Sequence, residues 1–174
     1  MKESDITLRA IEPSDVDLLY KWENDQSIWH LSNTVTPFSR FVLEQYILSS
    51  HQDIYTNKQL RLMIDFNAGG VIETIGSIDL FDFEPMHKRA GVGILLDARY
   101  RSKGYASKAL EVLIDYCFNV LNLKQLYCNI SSDNTVSLNL FKKHKFEIIG
   151  VKKDWMFINN KWADEHILQL INNK

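Results

Sequence analysis

Residues 99–110 read RYRSKGYASKAL. Three cations, Arg99, Arg101 and Lys103, are followed by Gly104, between the apolar run VGILL and a long amphipathic helical pattern. Binding an anion takes several donors converging on a small volume. The first turn of a helix supplies unsatisfied N–H groups and a positive dipole end, and a glycine at its entry lets backbone approach closely. Arg101, Gly104 and the small Ala106 are spaced for that, and a pyrophosphate is the anion that suits a run of amides. A plain strand-to-helix turn with solvated cations fits the same hexapeptide, so both readings stand at this point. The five histidines and two cysteines show no metal-ligand spacing such as C-x-x-C or H-E-x-x-H. The serine of YAS is not in the context of a nucleophile elbow.

Composition bounds these readings. At 174 residues, 45% hydrophobic and 24% charged, the sequence is expected to form one domain, residues 1–174, with a real core. A net charge of -2 gives no general basic field for nucleic acid, so any anion site is local. Cys117 and Cys128 each fall inside a patterned element and are read as buried thiols of a reducing compartment. MKESDITLRA contains no apolar targeting core, and no run of about 18 apolar residues occurs elsewhere. A cytoplasmic protein without membrane association is expected.

The elements that must position the chemistry follow from periodicity. Alternating Ile6, Leu8 and Ala10 predict a first strand over 5–11. A helix follows over 12–25, with Pro13 in its first turn. Residues 27–39 read as a loop and about 39–50 as a second helix. Strands are predicted over 59–66, 71–83 and 89–97, the first two joined by the turn NAGG. From Gly104 to Leu121 the pattern is helical, with Tyr105, Ala106, Ala109, Leu110, Leu113, Tyr116, Cys117 and Val120 on one stripe. A strand over 124–131 puts Leu126, Cys128 and Ile130 on one face and Tyr127 and Asn129 on the other. A capped helix spans 132–144, and two strands close the chain around an Asn159–Asn160 turn. The order implies an α/β (α+β) fold: a mixed, mostly antiparallel sheet of about seven strands flanked by about four helices.

In this context RSKGYA resembles the Arg/Gln-x-x-Gly-x-Gly/Ala signature of the GCN5-related N-acetyltransferase (GNAT) superfamily, matched by Arg101, Gly104 and Ala106. DNTVSLNLFKKHKF resembles that family's Asn-x-x-Ala/Ser helix through Asn134 and Ser137. The element order is similar over about residues 5–171. LRAIEPSD, DYCFNVLNLKQLY and FINNKWAD look most like bacterial spermidine/spermine N-acetyltransferases, with ribosomal-protein N-terminal acetyltransferases close by.

The resemblance implies a splay between the fourth and fifth strands that receives acetyl-CoA as co-substrate, with no metal. Backbone of Ile94, Leu95 and Leu96 would pair with the pantetheine as an added strand would. Arg101, Ser102, Lys103, Gly104, Tyr105 and Ala106 would hold the pyrophosphate, with Ser107 next in line. Asn134 would bond the cofactor, although its spacing equally suits a helix cap. The implied chemistry is attack of an amine on a thioester, which needs a base, oxyanion donors and often an acid for the thiolate. SIDLFDF supplies two carboxylates, Asp79 and Asp82. Strict alternation puts them on opposite faces unless a bulge intervenes, and Asp82 is favoured as the base. Asp79, Asp82, His87 and Trp29 are the acceptor-side candidates; a loop position accounts for His87 as well, and a core position for Trp29.

Two positions depart from the family pattern. Phe141 stands where many members carry an acid tyrosine, and it cannot donate a proton. That role would pass to water, Ser137 or Tyr127. The loop HLSNTVTPFS has no carboxylate where the polyamine enzymes carry glutamates, so a polycation loses charge partners there. The expected acceptor is a small primary amine, a polyamine among them. Alternatives are a peptide N-terminus, a weakly active or non-catalytic CoA-binding protein, and a structural domain. The resemblance leaves a homo-oligomer open.

Overall fold

In the strand LRLMIDFNA, Leu62 and Ile64 join one hydrophobic cluster while Met63 between them joins another. Period-two geometry sends successive side chains to opposite faces of the sheet. Both faces are therefore covered, and helices must lie on each.

The computed structural model describes residues 1–174 apart from Met1, Ser4, Asn33, His51, Gln52, Asn159 and Lys174. Its main strands are β1 (Ile6–Ala10), β2 (Leu60–Ala68), β3 (Val71–Glu84), β4 (Arg89–Leu96), β5 (Gln125–Ser131), β6 (Glu147–Ile158) and β7 (Lys161–Ile171). They lie in the order β1, β2, β3, β4, β5, β7, β6, and a two-residue segment, Lys2–Glu3, adds an edge piece beside β1. The β4–β5 pair is parallel and the other neighbouring pairs are antiparallel. This is the expected mixed, mostly antiparallel α/β sheet. Asn159 of the closing turn lies outside the described residues.

The helices are α1 (Val16–Glu23), α2 (Trp29–Ser32), α3 (Arg40–Ser49), α4 (Ile54–Asn57), α5 (Tyr105–Asn119) and α6 (Thr135–Lys143). The expected four or so helices are met by α1, α3, α5 and α6, and α2 and α4 are additional single turns. A four-residue turn is too short for periodicity to betray. In α4 the order comes from Asp53, whose carboxylate accepts the N–H groups of Tyr55 and Thr56.

Helices α5 and α6 cover one face, where Leu110, Leu113 and Phe141 meet Ile64, Ile78 and Leu80. Helices α1 and α3 cover the other, where Leu19, Trp22, Leu43 and Ile47 gather around Met63. Truncating a fully buried leucine such as Leu110 to alanine costs about 2–5 kcal/mol. Val120, expected on the buried stripe of α5, is exposed, because the helix stops at Asn119 and Leu123 enters the core instead.

Cys117 and Cys128 are free and buried, and burial pushes each thiol up to about 12. Among the described residues, no helix is long and apolar enough to cross a membrane.

Candidate active site

Strands β4 and β5 pair at three positions, Arg89–Gln125, Ala90–Leu126 and Gly91–Tyr127. Past Gly91, β4 stays paired to β3 as far as Leu96, and β5 stays paired to β7 as far as Ser131. The sheet therefore opens as a wedge between 92–96 and 128–131. Its two inner edges carry N–H and C=O groups without a ladder partner across the gap, so an extended ligand can complete them. Ile94 and Leu95 are half-buried there and Leu96 is buried.

Beside the closed end of the wedge, β3 bulges. Its register with β4 shifts between Phe81 and Glu84, and Asp82 has φ 47°, in the left-handed region that aspartate tolerates better than most residues. The extra residue changes the alternation. Phe83 joins Ile78 and Leu80 in the α5-side core, whereas strict alternation would have grouped it with Asp79. Asp82 is thrown outward, where its Oδ2 accepts a 3.0 Å hydrogen bond from the phenol of Tyr127. The bond crosses an intervening strand, since β4 lies between β3 and β5. Gly91 makes room on that strand. The Phe81 ring lies over it, so that a Cβ at Gly91 would sit 2.2 Å from a ring atom, and the same ring meets Tyr127 edge-on at 5.8 Å. Burial, with the Asp82 carboxylate adding to it, pushes the Tyr127 phenol up to about 12. Tyr127 is consequently a standing donor at neutral pH. It also lines an open cavity of about 300 Å³ with Arg89, Gln125, Ile149, Ile167 and Gln169.

Asp79 is differently placed. It sits opposite Gly93 of β4 and is held by Arg61 of β2 through two bonds, 2.6 Å from Nε and 3.1 Å from Nη2. The third guanidinium nitrogen, Nη1, donates to Glu23 at the end of α1, also at 2.6 Å. Trp29 is half-buried and donates its indole N–H to the Glu23 carbonyl at 2.8 Å. His87 is exposed in the 85–88 turn, away from these bonds.

On the cofactor side, Ser102 has φ 61° and Gly104 φ 85°. These left-handed residues turn the backbone so that the amides of 102–106 have no acceptor among the described residues, whereas those of Ser107 and Lys108 bond to Gly104. Successive outward amides of this kind make an anion cradle, and a Cβ at Gly104 would meet nothing within 4 Å. Arg101 turns back, its Nε donating to the Leu96 carbonyl at 2.9 Å. Lys103 lies over the Tyr100 ring, 5.5 Å from its centre. Tyr105 packs on Phe66 at 4.6 Å. Ser107 bonds to Nε2 of His144 at 2.7 Å and accepts from Lys143 at 3.0 Å, joining the start of α5 to the end of α6.

Asn134 caps α6, its Oδ1 accepting from the Ser137 amide at 3.1 Å. The capping role weighed from the sequence is thus present. Ser137 is half-buried on the first turn. Phe141 is 3% exposed and meets Phe146 edge-on at 5.0 Å, an apolar core position.

Sequence reasoning missed Arg61, Glu23 and Asp97. Asp97 ends β4 and is 5% exposed. It accepts from Lys21 at 2.6 Å, from the Trp22 indole at 3.2 Å and from Arg99 at 3.1 Å. Burial alone would raise its pKa, but these donors outweigh burial and hold the carboxyl well below the ordinary range. It ties α1 to the approach of the cationic loop. The signal for Arg61 was legible: it is a cation inside an apolar strand, in phase with Met63 and two strand residues from it.

Among the described residues, no group of three His, Cys, Asp or Glu side chains is placed to hold a metal ion. The Acetyltransferase (GNAT) domain family matches residues 5–147. The spermidine N(1)-acetyltransferase of Escherichia coli (strain K12) is 26% identical over 162 residues, covering 91% of this chain and 82% of that protein. The crystal structure of spermidine N-acetyltransferase from Vibrio cholerae in complex with CoA and spermine has a TM-score of 0.87 at 24% identity, covering 99% of this chain and 98% of that one. A dodecameric structure of the Vibrio cholerae enzyme in an intermediate state gives 0.80 at 24% identity, covering 97% and 95%.

Proposed function

The chain belongs to the GNAT acetyltransferase family and is an N-acetyltransferase, and from that premise we propose that it moves an acetyl group from acetyl-CoA to a small primary amine in a ternary complex. Polyamines are the first acceptor class to try, because relatives that cover most of the chain carry spermidine in their names. The observation that carries the reading is the Asp82–Tyr127 bond at the point where β4 and β5 begin to part.

The residues present fit the co-substrate. Unpartnered amides of 102–106 suit a pyrophosphate. The inner edge of Ile94, Leu95 and Leu96 suits the amide-bearing pantetheine arm. Asn134 is assigned to the same ligand through the part of its amide that the cap leaves over, and Ser107 borders the cradle.

Asp82 is the base. It takes a proton from the acceptor ammonium, directly or through one water, and the freed amine attacks the acetyl carbonyl carbon. As the new C–N bond forms, the C–S bond breaks, the thiolate leaves, and the nitrogen gives up its second proton to water. Tyr127 orients Asp82. Thiolate protonation falls to water, Ser137 or Tyr127, since Phe141 has no proton to give. His87 and Trp29 border the acceptor approach. The exposed aromatics Trp155, Phe157 and Trp162 on β6 and β7 are the surface we assign to a homo-oligomer.

The test is release of free CoA thiol from acetyl-CoA with spermidine, spermine, simple diamines and an N-terminal peptide, with Asp82→Asn alongside. An amine that stimulates release, and loss of that release in Asp82→Asn, supports the reading. Peptide-only stimulation replaces the acceptor class. Acetyl-CoA binding with no productive acceptor replaces the enzyme by a CoA-binding protein.

A further inference from the structure

The side chains of Arg61, Glu23 and Asp79 are 16%, 17% and 19% exposed, largely shielded but not sealed, on the α1 face of the sheet. Asp79 faces bare Gly93, just past the point where β4 and β5 part. Two carboxylates brought together from α1 and β3 are what a remote ammonium would seek. Here both are already taken. Arg61 grips Asp79 with two nitrogens and Glu23 with the third, and its guanidinium lies on the Tyr46 ring, 5.3 Å from the centre. A planar, bidentate, ring-stacked arginine is the strongest form of such a pair.

Elsewhere the acceptor side offers a second ammonium little. The chain carries no carboxylate from Ser27 to Ser39, the Asp25 carboxylate is held by Ser27, and the open cavity beside Tyr127 includes a cation, Arg89.

We propose that Arg61 sets how many positive charges the acceptor carries, filling from within the chain the place between Glu23 and Asp79 that the second ammonium of a polyamine would take. The proposal rests on the acetyl-transfer reading for the location of the reacting amine. The enzyme binds its acceptor through the one ammonium that reacts, and further charges on the acceptor gain little. Removing Arg61 leaves two carboxylates in search of a cation and converts the site to one that selects polyamines.

The experiment compares kcat/KM for butylamine, putrescine and spermidine in wild type, Arg61→Gln and Arg61→Lys, by thiol release, together with Tm with and without spermidine. In wild type, spermidine and butylamine are expected to agree within about threefold. In Arg61→Gln the spermidine/butylamine ratio should rise about tenfold or more, the size of one ordinary charge contact of about 1.4 kcal/mol. Arg61→Lys should return the ratio toward wild type, which loss of packing alone would not do. Spermidine should raise the Tm of Arg61→Gln and leave that of wild type in place. An unchanged ratio and no spermidine-dependent Tm shift in folded Arg61→Gln overturn the proposal. A wild-type preference for spermidine that Glu23→Gln abolishes overturns it too. Should Arg61→Gln fail to fold, Arg61→Gln/Asp79→Asn keeps one carboxylate without the buried repulsion, and the same shifts are expected of it. If no amine reacts with wild type, the acetyl-transfer reading fails, while the Tm arm still decides the role of Arg61.

Discussion

Tyr127 hydrogen-bonds Asp82 across a strand that belongs to neither, at 3.0 Å over the bare backbone of Gly91. Three features must coincide for this contact: the bulge that turns Asp82 outward, the missing side chain at position 91, and the last rung of the parallel ladder at Tyr127.

Asp82→Asn should lower kcat by about 10²–10⁴, the usual worth of a general base, with little change in acetyl-CoA affinity. Tyr127→Phe should cost about tenfold in kcat, because the base keeps its charge and loses only its orientation. Steady-state kinetics with acetyl-CoA titrated calorimetrically separate the two quantities. Equal losses in both variants would make Tyr127 a proton donor in its own right.

Gly91→Ala should displace the Phe81 ring, which would lie 2.2 Å from the new methyl. A destabilisation of about 1–3 kcal/mol is expected from overpacking, read as a lower urea midpoint, with kcat falling alongside as the Phe81–Tyr127 contact shifts. Gly93→Ala, whose added Cβ would meet its nearest neighbour at 3.9 Å, should be tolerated.

Asp97→Ala should destabilise by about 1–3 kcal/mol, the cost of leaving the buried Trp22 indole donor unpaired. Lys21 and Arg99 reach solvent, so their lost pairings add little. The pH dependence has a definite sign. The folded-state pKa of Asp97 is depressed, so its contribution is complete above the ordinary carboxylate value near 3.8 and is lost as pH falls below that value toward the folded one. Urea midpoints of wild type should therefore drop more steeply below about pH 4 than those of Asp97→Asn.

Cys117 and Cys128 should react slowly with a thiol reagent at pH 8 in the native state and as two equivalents in denaturant. Both are buried, and with thiols near 12 little thiolate exists at that pH. Release of CoA thiol can then be followed continuously with the same reagent. A fast native thiol would contradict the burial of Cys117 on α5 and of Cys128 on β5.

The sequence carried the sheet well, because alternation in strands such as β2 is a direct record of which face each side chain buries. The amphipathic stripe of α5 was equally legible, apart from its end, where Val120 lies past the last helical turn. The cationic loop was legible as a turn into a helix, because Gly104 and the small Ala106 leave a local trace. The carboxylates were harder. Period two assigns Asp79 and Asp82 to opposite faces, and only the bulge, set by tertiary pairing with β4, tells which one reaches Tyr127. Long-range partners were out of reach altogether: nothing local connects Arg61 to Glu23, 38 positions away, or Asp97 to Lys21, 76 positions away. Asn134 shows the converse, a residue whose local capping geometry was foreseeable from its spacing alone.

The three-rung joint between β4 and β5 has a mechanical consequence. The sheet is two leaves on a short spine: β1 to β4 form one leaf, β5 to β7 the other, and every remaining ladder lies wholly within a leaf. Changing the angle between the leaves stretches no backbone pairing except at the spine, so stiffness comes from side chains: those of α5 and α6 beneath the opening, and Tyr127 against Asp82 and Phe81 at the spine. Slow amide exchange within each leaf, alongside faster exchange at 92–96 and 128–131, is the signature such a book-like molecule would leave, and a ligand lying in the gutter would quiet both edges at once.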